Sequence, residues 1–306
     1  MRKRVLAAAV AGIIGVVVSA LAPVASSGAM PETPTAASER FALIVGVSDY
    51  AGRTKSTVAG AADAEDFRVA LLRNGFREDH IVTLTEKRAT AANIRAGLQW
   101  LINTSSENSF SVFHFSGHVK LIGGDRDRDG EKLDEYLWPH DNKFISDSEL
   151  ASKIRELRGL SWTDIAGCEA AGFDDGLSGP RRLFTSSSTE TEKSYEYPEW
   201  NNSIFTGLEI DEAFLQGLGD RDGNGKVSIQ EAFARAYERA PQYTARQKFG
   251  AQHPQSAGGT GPEWFLDGPP EPPAPPPAPK SSEPAGSGDE RRDPPPEPPR
   301  CSFLCF

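Results

Sequence analysis

Cysteine is scarce in these 306 residues: Cys168, Cys301 and Cys305 are the only three, and the last two lie in the extreme C-terminal tail. Cys168 therefore has no evident partner within the folded part, although an oxidising compartment usually selects cysteines in pairs. A lone core cysteine is by default a small buried hydrophobe. Histidine is also rare, and His80, His140 and His253 show no metal-ligand spacing. Basic charge is in deficit: 33 Lys and Arg stand against 43 Asp and Glu, a formal net charge of −10. Such a chain repels nucleic acid and anionic lipid, which excludes both as partners.

The N-terminus reads as a targeting segment. Arg2, Lys3 and Arg4 precede an apolar run from Val5 to Leu21, and Ser27-Gly28-Ala29 offers a small-x-small cleavage site, with Ala25 as an alternative. This is the pattern of a secretory signal peptide over residues 1–29. The run is also long enough to stay as a membrane anchor. Either way the remainder is expected to be exported, secreted or extracytoplasmic. Loss of residues 1–29 removes three basic residues and no acid, which moves the net charge to −13.

Residues 30–40 form a polar leader. Residues 41–267 suffice for one large α/β domain, and 38% hydrophobic content is adequate for its core. Phe41 to Val47 is a continuous apolar run that suits a buried parallel strand. Ala64, Phe67, Ala70 and Leu71 share a helix face, Ile81 to Leu84 makes a second strand, and Ile94, Leu98 and Leu101 repeat the helical spacing. Phe110 to Phe115 is a third strand and Ser161 to Ala166 a fourth, with a helix from Ser148 to Leu157 between them. Leu183-Phe184-Thr185 makes a fifth strand and Ile204 to Leu215 a helix. The alternation implies right-handed crossovers and a mostly parallel central sheet with helices on both faces. Residues 268–306 form a tail: 14 of the 23 prolines fall between 269 and 299, so this stretch reads as an extended spacer. Cys301 and Cys305 at its end could close a small disulfide loop or link to another chain.

Two motifs carry chemistry. His118 follows the third strand and Cys168 the fourth; if those strands are neighbours, both side chains emerge at one sheet edge, where α/β sheets place their sites. An imidazole there can take the thiol's proton. His114, four residues before His118 and deeper in the sheet, reads as a packed core histidine. The second motif runs from Asp220 to Glu231 and fits the twelve-residue EF-hand pattern. Asp220, Asp222, Asn224, Ser228 and Glu231 supply oxygen ligands, Lys226 lends its carbonyl, and Gly225 permits the sharp turn. Calcium is the expected ligand. An acidic stretch with Asp125, Asp127 and Asp129 starts the same way, but has Tyr136 where a bidentate Glu belongs.

Phe113-His114-Phe115-Ser116-Gly117-His118 resembles the strand end of the caspase and metacaspase superfamily. Asp129-Gly130, Asp134-Glu135 through Pro139 and Asp141, the opening Leu43 to Tyr50, Ala62-Asp63-Ala64 and Ala89 to Ile94 match that family in order. The resemblance implies a caspase-like fold and a cysteine endopeptidase acting on proteins or peptides, with no cofactor beyond calcium. His118 would be the general base and Cys168 the nucleophile. The backbone N–H groups of Cys168 and Val119 would hold the oxyanion. The sequence departs from the family at Val119, where Gly is usual, at Ala166, where Asp is usual, and at Glu169-Ala170-Ala171, where His-Ser-Gly is common. The missing Asp helps bind a basic substrate residue in metacaspases; Asp49, Asp134, Glu169 or Asp174 could supply that charge instead. The alternative reading is a catalytically inactive caspase-fold scaffold that binds calcium.

Overall fold

The computed structural model describes residues 39–124, 126, 132–174, 176–268 and 302–303. The expected signal segment, the acidic stretch around Asp125, Asp127 and Asp129, and nearly all of the proline-rich tail lie outside the described residues. A six-stranded sheet runs through the domain in the order β11-β8-β7-β3-β1-β2. Its strands are β1 (Glu39–Gly46), β2 (Ile81–Thr85), β3 (Ser109–Ser116), β7 (Leu160–Ala166), β8 (Arg182–Ser186) and β11 (Gln255–Gly258). All neighbours are parallel except β11, which closes the β8 edge antiparallel.

Two apolar layers follow from the period-2 alternation of strands buried on both faces. Leu43, Val45, Phe113, Phe115 and Ile165 face one layer, covered by α2 (Ala91–Thr104) and α3 (Asp147–Arg155) through Ile94, Leu98, Leu150 and Ile154. Ala42, Ile44, Phe110, Val112 and Trp162 face the other, covered by α1 (Gly60–Arg73) through Phe67 and Leu71 and by Ile210, Ile229 and Trp264. This is the mostly parallel α/β sheet flanked by helices that the strand–helix alternation predicts. Among the described residues no helix is long and apolar enough to cross a membrane.

The differences are local. The sheet begins at Glu39, two residues inside the expected leader. The stretch after His118 is a small antiparallel sheet of β4 (Val119–Gly123), β5 (Leu133–Leu137) and β6 (Ile145–Ser146) rather than only a loop. β9 (Tyr195–Tyr197) and β10 (Asn202–Ser203) pair with each other, too short to leave a periodicity signal. The helix expected over 204–215 is one α-turn, α4 (Ile204–Thr206), followed by a π-helix, Gly207–Leu215. The last helix, α5 (Ile229–Thr244), begins inside the twelve-residue Asp220–Glu231 segment and passes through Pro241.

The π-helix brings Glu209 into the core. Both carboxyl oxygens of Glu209 are fully buried, beside the Asp164 carboxylate. Burial, then repulsion from Asp164 and a hydrogen bond that the protonated form shares with it, push its pKa well above the ordinary glutamate range. Asp164 is itself bound to His114 Nδ1 at 2.7 Å and to Thr185 Oγ1 at 2.6 Å. His114 stacks on Phe67, so it is the packed core residue that its depth in the sheet implies. A raised folded-state pKa means that Glu209 favours folding fully at pH below the ordinary glutamate value. That contribution is lost as pH climbs toward the folded value. Glu209→Gln cannot ionise, so its melting temperature should exceed the wild type's by about 2–6 °C near neutral pH. The gap should close on acidification. Thermal melts across pH check this; a constant gap would contradict it.

Candidate active site

β3 and β7 are adjacent and parallel, with Ser116 opposite Ala166 as the last registered pair. His118 and Cys168 each lie two residues beyond that pair, so equal steps carry both past the carboxyl edge of the sheet. The two exits touch. Gly117 N–H donates to Ala166 C=O at 3.1 Å. A Cβ on Gly167 would meet Val119 Cγ2 at 2.6 Å and Gly117 O at 3.1 Å. A Cβ on Gly117 would meet Tyr50 Oη at 2.7 Å. Both glycines are thus fixed by close approach.

His118 is held on several sides. Its ring stacks on Tyr50, centroids 4.7 Å apart, and lies 5.7 Å from Trp138. Its backbone N–H donates to Tyr50 Oη at 2.7 Å. Burial pushes the Tyr50 phenol up, well above its ordinary range, so it stays neutral. Nε2 lies 2.8 Å from the Lys55 carbonyl oxygen. A carbonyl only accepts, so Nε2 carries the hydrogen and Nδ1 is the nitrogen able to take a proton. No sequence signal marks Lys55, because it acts through its main chain. Glu196 anchors the loop that carries Lys55: its Oε1 accepts from Val58 N–H and Ala59 N–H, each at 2.7 Å. Asp63, inside one of the family-like segments, accepts from Ser116 Oγ at 2.6 Å and from Ser203 N–H at 2.9 Å. It ties the end of β3 to α1 and β10. Burial raises its carboxyl, opposed by the Ser116 and Ser203 bonds.

Cys168 is fully buried, and its Sγ accepts a hydrogen bond from Ser194 N–H at 3.2 Å. It is disulfide-bonded, so in this state its sulfur is not a nucleophile. Glu169 does not leave a bare negative charge beside that sulfur. It sits at φ 50° and ion-pairs with Lys193. Burial raises its carboxyl, and Lys193 opposes the shift. The two backbone donors expected for an oxyanion lie on the two touching exits. Trp138 N–H donates to His118 C=O at 3.1 Å. With Val119 opposite Leu137, that makes Val119 a non-hydrogen-bonded position whose N–H points away from β5. The other acidic residues considered for substrate binding are dispersed. Asp134 is buried on β5, accepting from Arg126 N–H and Tyr136 Oη. Asp49 is exposed beyond β1, and Asp174 ends a 3-10 turn where burial raises its carboxyl.

The Asp220–Glu231 loop lies elsewhere, between the π-helix and α5. Carboxylate oxygens of Asp220, Asp222 and Glu231 lie within 4.8 Å of one another. Asp220 accepts from the N–H groups of Gly223, Asn224 and Gly225, and Gly225 takes φ 86°. Asn224 Nδ2 donates to Asp222. Ser228 and Glu231 form a reciprocal cap on α5. Lys226 Nζ reaches Asp267, 3.0 Å away. Instead of a second loop, the 264–265 segment pairs here: Ser228 bridges Phe265, and Ile229 N–H donates to Trp264 C=O. Glu263, which the twelve-residue pattern omits, has its carboxyl raised by burial and then by Glu231 and Asp222.

Comparison with known proteins bears on the first of these two sites. The family described as metacaspase, peptidase C14 domain, matches residues 40–171, a span that includes both His118 and Cys168. Metacaspase-9 of Arabidopsis thaliana is 32% identical over 114 residues, 34% of this chain and 35% of that protein. Metacaspase-1 of Candida albicans is 35% identical over 124 residues, 36% of this chain and 27% of that protein. The matched region thus spans about a third or less of these relatives. The crystal structure of protein GSU0716 from Geobacter sulfurreducens shares the fold, with a TM-score of 0.56 at 18% identity, over 72% of this chain and 94% of that one. Residues 40–171 are thus similar to the metacaspase peptidase C14 domain, and the solved structure shows the fold alone.

Proposed function

We propose that the chain is an exported cysteine endopeptidase that uses a His118–Cys168 dyad in its reduced state and binds calcium. The observation that carries the reading is the equal two-residue offset of His118 and Cys168 beyond the Ser116–Ala166 pair, with the imidazole oriented by the Lys55 carbonyl. His118 Nδ1 takes the thiol proton while Nε2–H stays on Lys55. The thiolate attacks the peptide carbonyl, and the N–H groups of Cys168 and Val119 receive the oxyanion. His118 returns the proton to the leaving amine, and water then hydrolyses the acyl-cysteine. Peptide-library cleavage by the reduced protein, with and without calcium, tests the reading. Cuts absent from Cys168→Ala support it. No cuts by the wild type would favour the inactive scaffold, a reading that the buried, bonded sulfur keeps open.

Calcium fits the Asp220–Glu231 loop by its chemistry. The donors are all oxygens, three carboxylates converge, and Glu231 and Asp222 raise Glu263, a mutual repulsion that a divalent cation relieves. The ion would be held by the side chains of Asp220, Asp222, Asn224, Ser228 and Glu231 and the Lys226 carbonyl, and would supply structural charge balance. The loop joins α5 to the 264–265 segment, so the ion acts on stability.

The touching exits give a further expectation. Gly167→Ala should push Val119 and the His118 turn away from Cys168, lowering kcat by about 10–100-fold with little change in KM. Adding Val119→Gly removes the clashing methyl groups and should recover most of the loss. Steady-state kinetics on the single and double variants decide it; no recovery would place the damage elsewhere.

A further inference from the structure

We propose that Glu196 and Asn142 are positioning residues for the catalytic imidazole: they clamp the loop that carries the Lys55 carbonyl from both sides, and so fix which nitrogen of His118 carries its hydrogen. The effect on rate rests on the peptidase reading above; the clamp itself does not.

His118 Nε2 reaches a main-chain carbonyl, so its orientation is only as firm as the backbone at Lys55. Apolar burial does little to hold that backbone, since Gly52, Arg53, Lys55 and Ser56 are exposed. Side chains from elsewhere hold it instead. Upstream, Asn142 grips the loop twice. Thr54 Oγ1 donates to its Oδ1 at 2.7 Å, and its Nδ2 donates to Ala51 C=O at 2.8 Å. Downstream, Glu196 is buried, and its Oε1 accepts from the Val58 and Ala59 N–H groups. Those amides lie at the start of α1, where the helix dipole also favours a carboxylate. Thr57 adds a tie to Ser48 C=O and Val47 C=O, which roots the loop on the end of β1. That tie lies on the Glu196 side of Lys55, so it does not replace Asn142.

The clamps also refer the base to the rest of the site. Glu196 lies on β9, and Ser194, just before that strand, donates its N–H to Cys168 Sγ at 3.2 Å. One short segment therefore meets both the sulfur and the loop behind the imidazole. Asn142 Oδ1 also accepts from Trp138 Nε1 at 2.7 Å, and the Trp138 ring lies beside His118. With Lys55 in place, Nε2 keeps the hydrogen and Nδ1 is the accepting nitrogen. If the loop drifts, the bond to Lys55 is lost and the hydrogen can sit on Nδ1. An imidazole in that form offers the thiol no acceptor at Nδ1.

The test uses the reduced full-length chain with ring-15N histidine, the His118 signals being assigned by their loss in His118→Ala. The neutral wild-type ring should show the Nε2–H tautomer. Asn142→Ala and Glu196→Ala should each move it toward the Nδ1–H form and lower kcat about 10–100-fold, with KM changed less than about threefold. Glu196→Gln keeps an oxygen for both N–H groups and should stay within about threefold of the wild-type kcat. If thermal melts show Glu196→Ala unfolded, Asn142→Ala, at a half-buried loop position, decides the matter. An unchanged tautomer in the folded alanine variants would overturn the clamp, even with a slower rate. So would a Glu196→Gln as slow as Glu196→Ala. If the tautomer shifts but the wild type cleaves nothing, the clamp stands and the peptidase reading falls. If the wild type cleaves and the tautomer holds in the alanine variants, the reverse is true.

Discussion

Cys168→Ala should abolish peptide cleavage by the reduced protein, and His118→Ala should lower kcat/KM by about 10²–10⁴-fold. The two losses differ because the residues do different work. Without sulfur there is no acyl intermediate. Without the imidazole a thiol remains, but nothing beside it accepts its proton or returns that proton to the leaving amine. The surroundings of His118 predict a graded series behind these two. Tyr50→Phe keeps the stacked ring but removes the oxygen that accepts the His118 backbone N–H, so it should cost less than His118→Ala. Kinetics on reduced, full-length variants check the order. Equal activity in Cys168→Ala and the wild type would remove the dyad from the account.

Calcium should raise the melting temperature, and Glu231→Gln should erase most of the rise. An ion that binds only the folded state stabilises it by about 2.7 kcal/mol at a hundredfold excess over Kd. For a domain of this size that is roughly 5–10 °C. Glu231→Gln keeps an oxygen for the reciprocal cap with Ser228 at the start of α5 but loses the second acceptor, which takes the Arg221 and Asp222 N–H groups. The calcium-free melting temperature of the variant should therefore fall slightly, and the decisive readout is the rise that calcium adds, large in the wild type and small in the variant. Asp220→Asn should behave similarly. Melts with added calcium and with chelator test this; equal rises in wild type and Glu231→Gln would dismiss the loop as an ion site.

The sheet was legible because its strands are buried on both faces and so read as unbroken apolar runs, as in Phe41–Val47 and Phe110–Phe115. The histidine and cysteine were legible because each follows such a run. What surrounds them was not. Lys55 contributes a carbonyl that any residue has, and Glu196 acts across 137 residues on the N–H of Ala59. β9 and β10 are too short for periodicity, and their pairing is set by tertiary placement. The π-helix at Gly207–Leu215 carries the apolar spacing of an α-helix, so its wider turn, and with it the burial of Glu209, leaves no separate mark in the sequence. The EF-hand pattern was plain because twelve contiguous residues define it. Glu263 was invisible because it joins that loop from 32 positions beyond Glu231.

The most direct test of the dyad is the rate at which an alkylating reagent labels Cys168 in the fully reduced protein near neutral pH, in the wild type and in His118→Ala. The account predicts rapid labelling of the wild type and much slower labelling of the variant, because only the imidazole draws the proton from the sulfur. Equally slow labelling of both would contradict it.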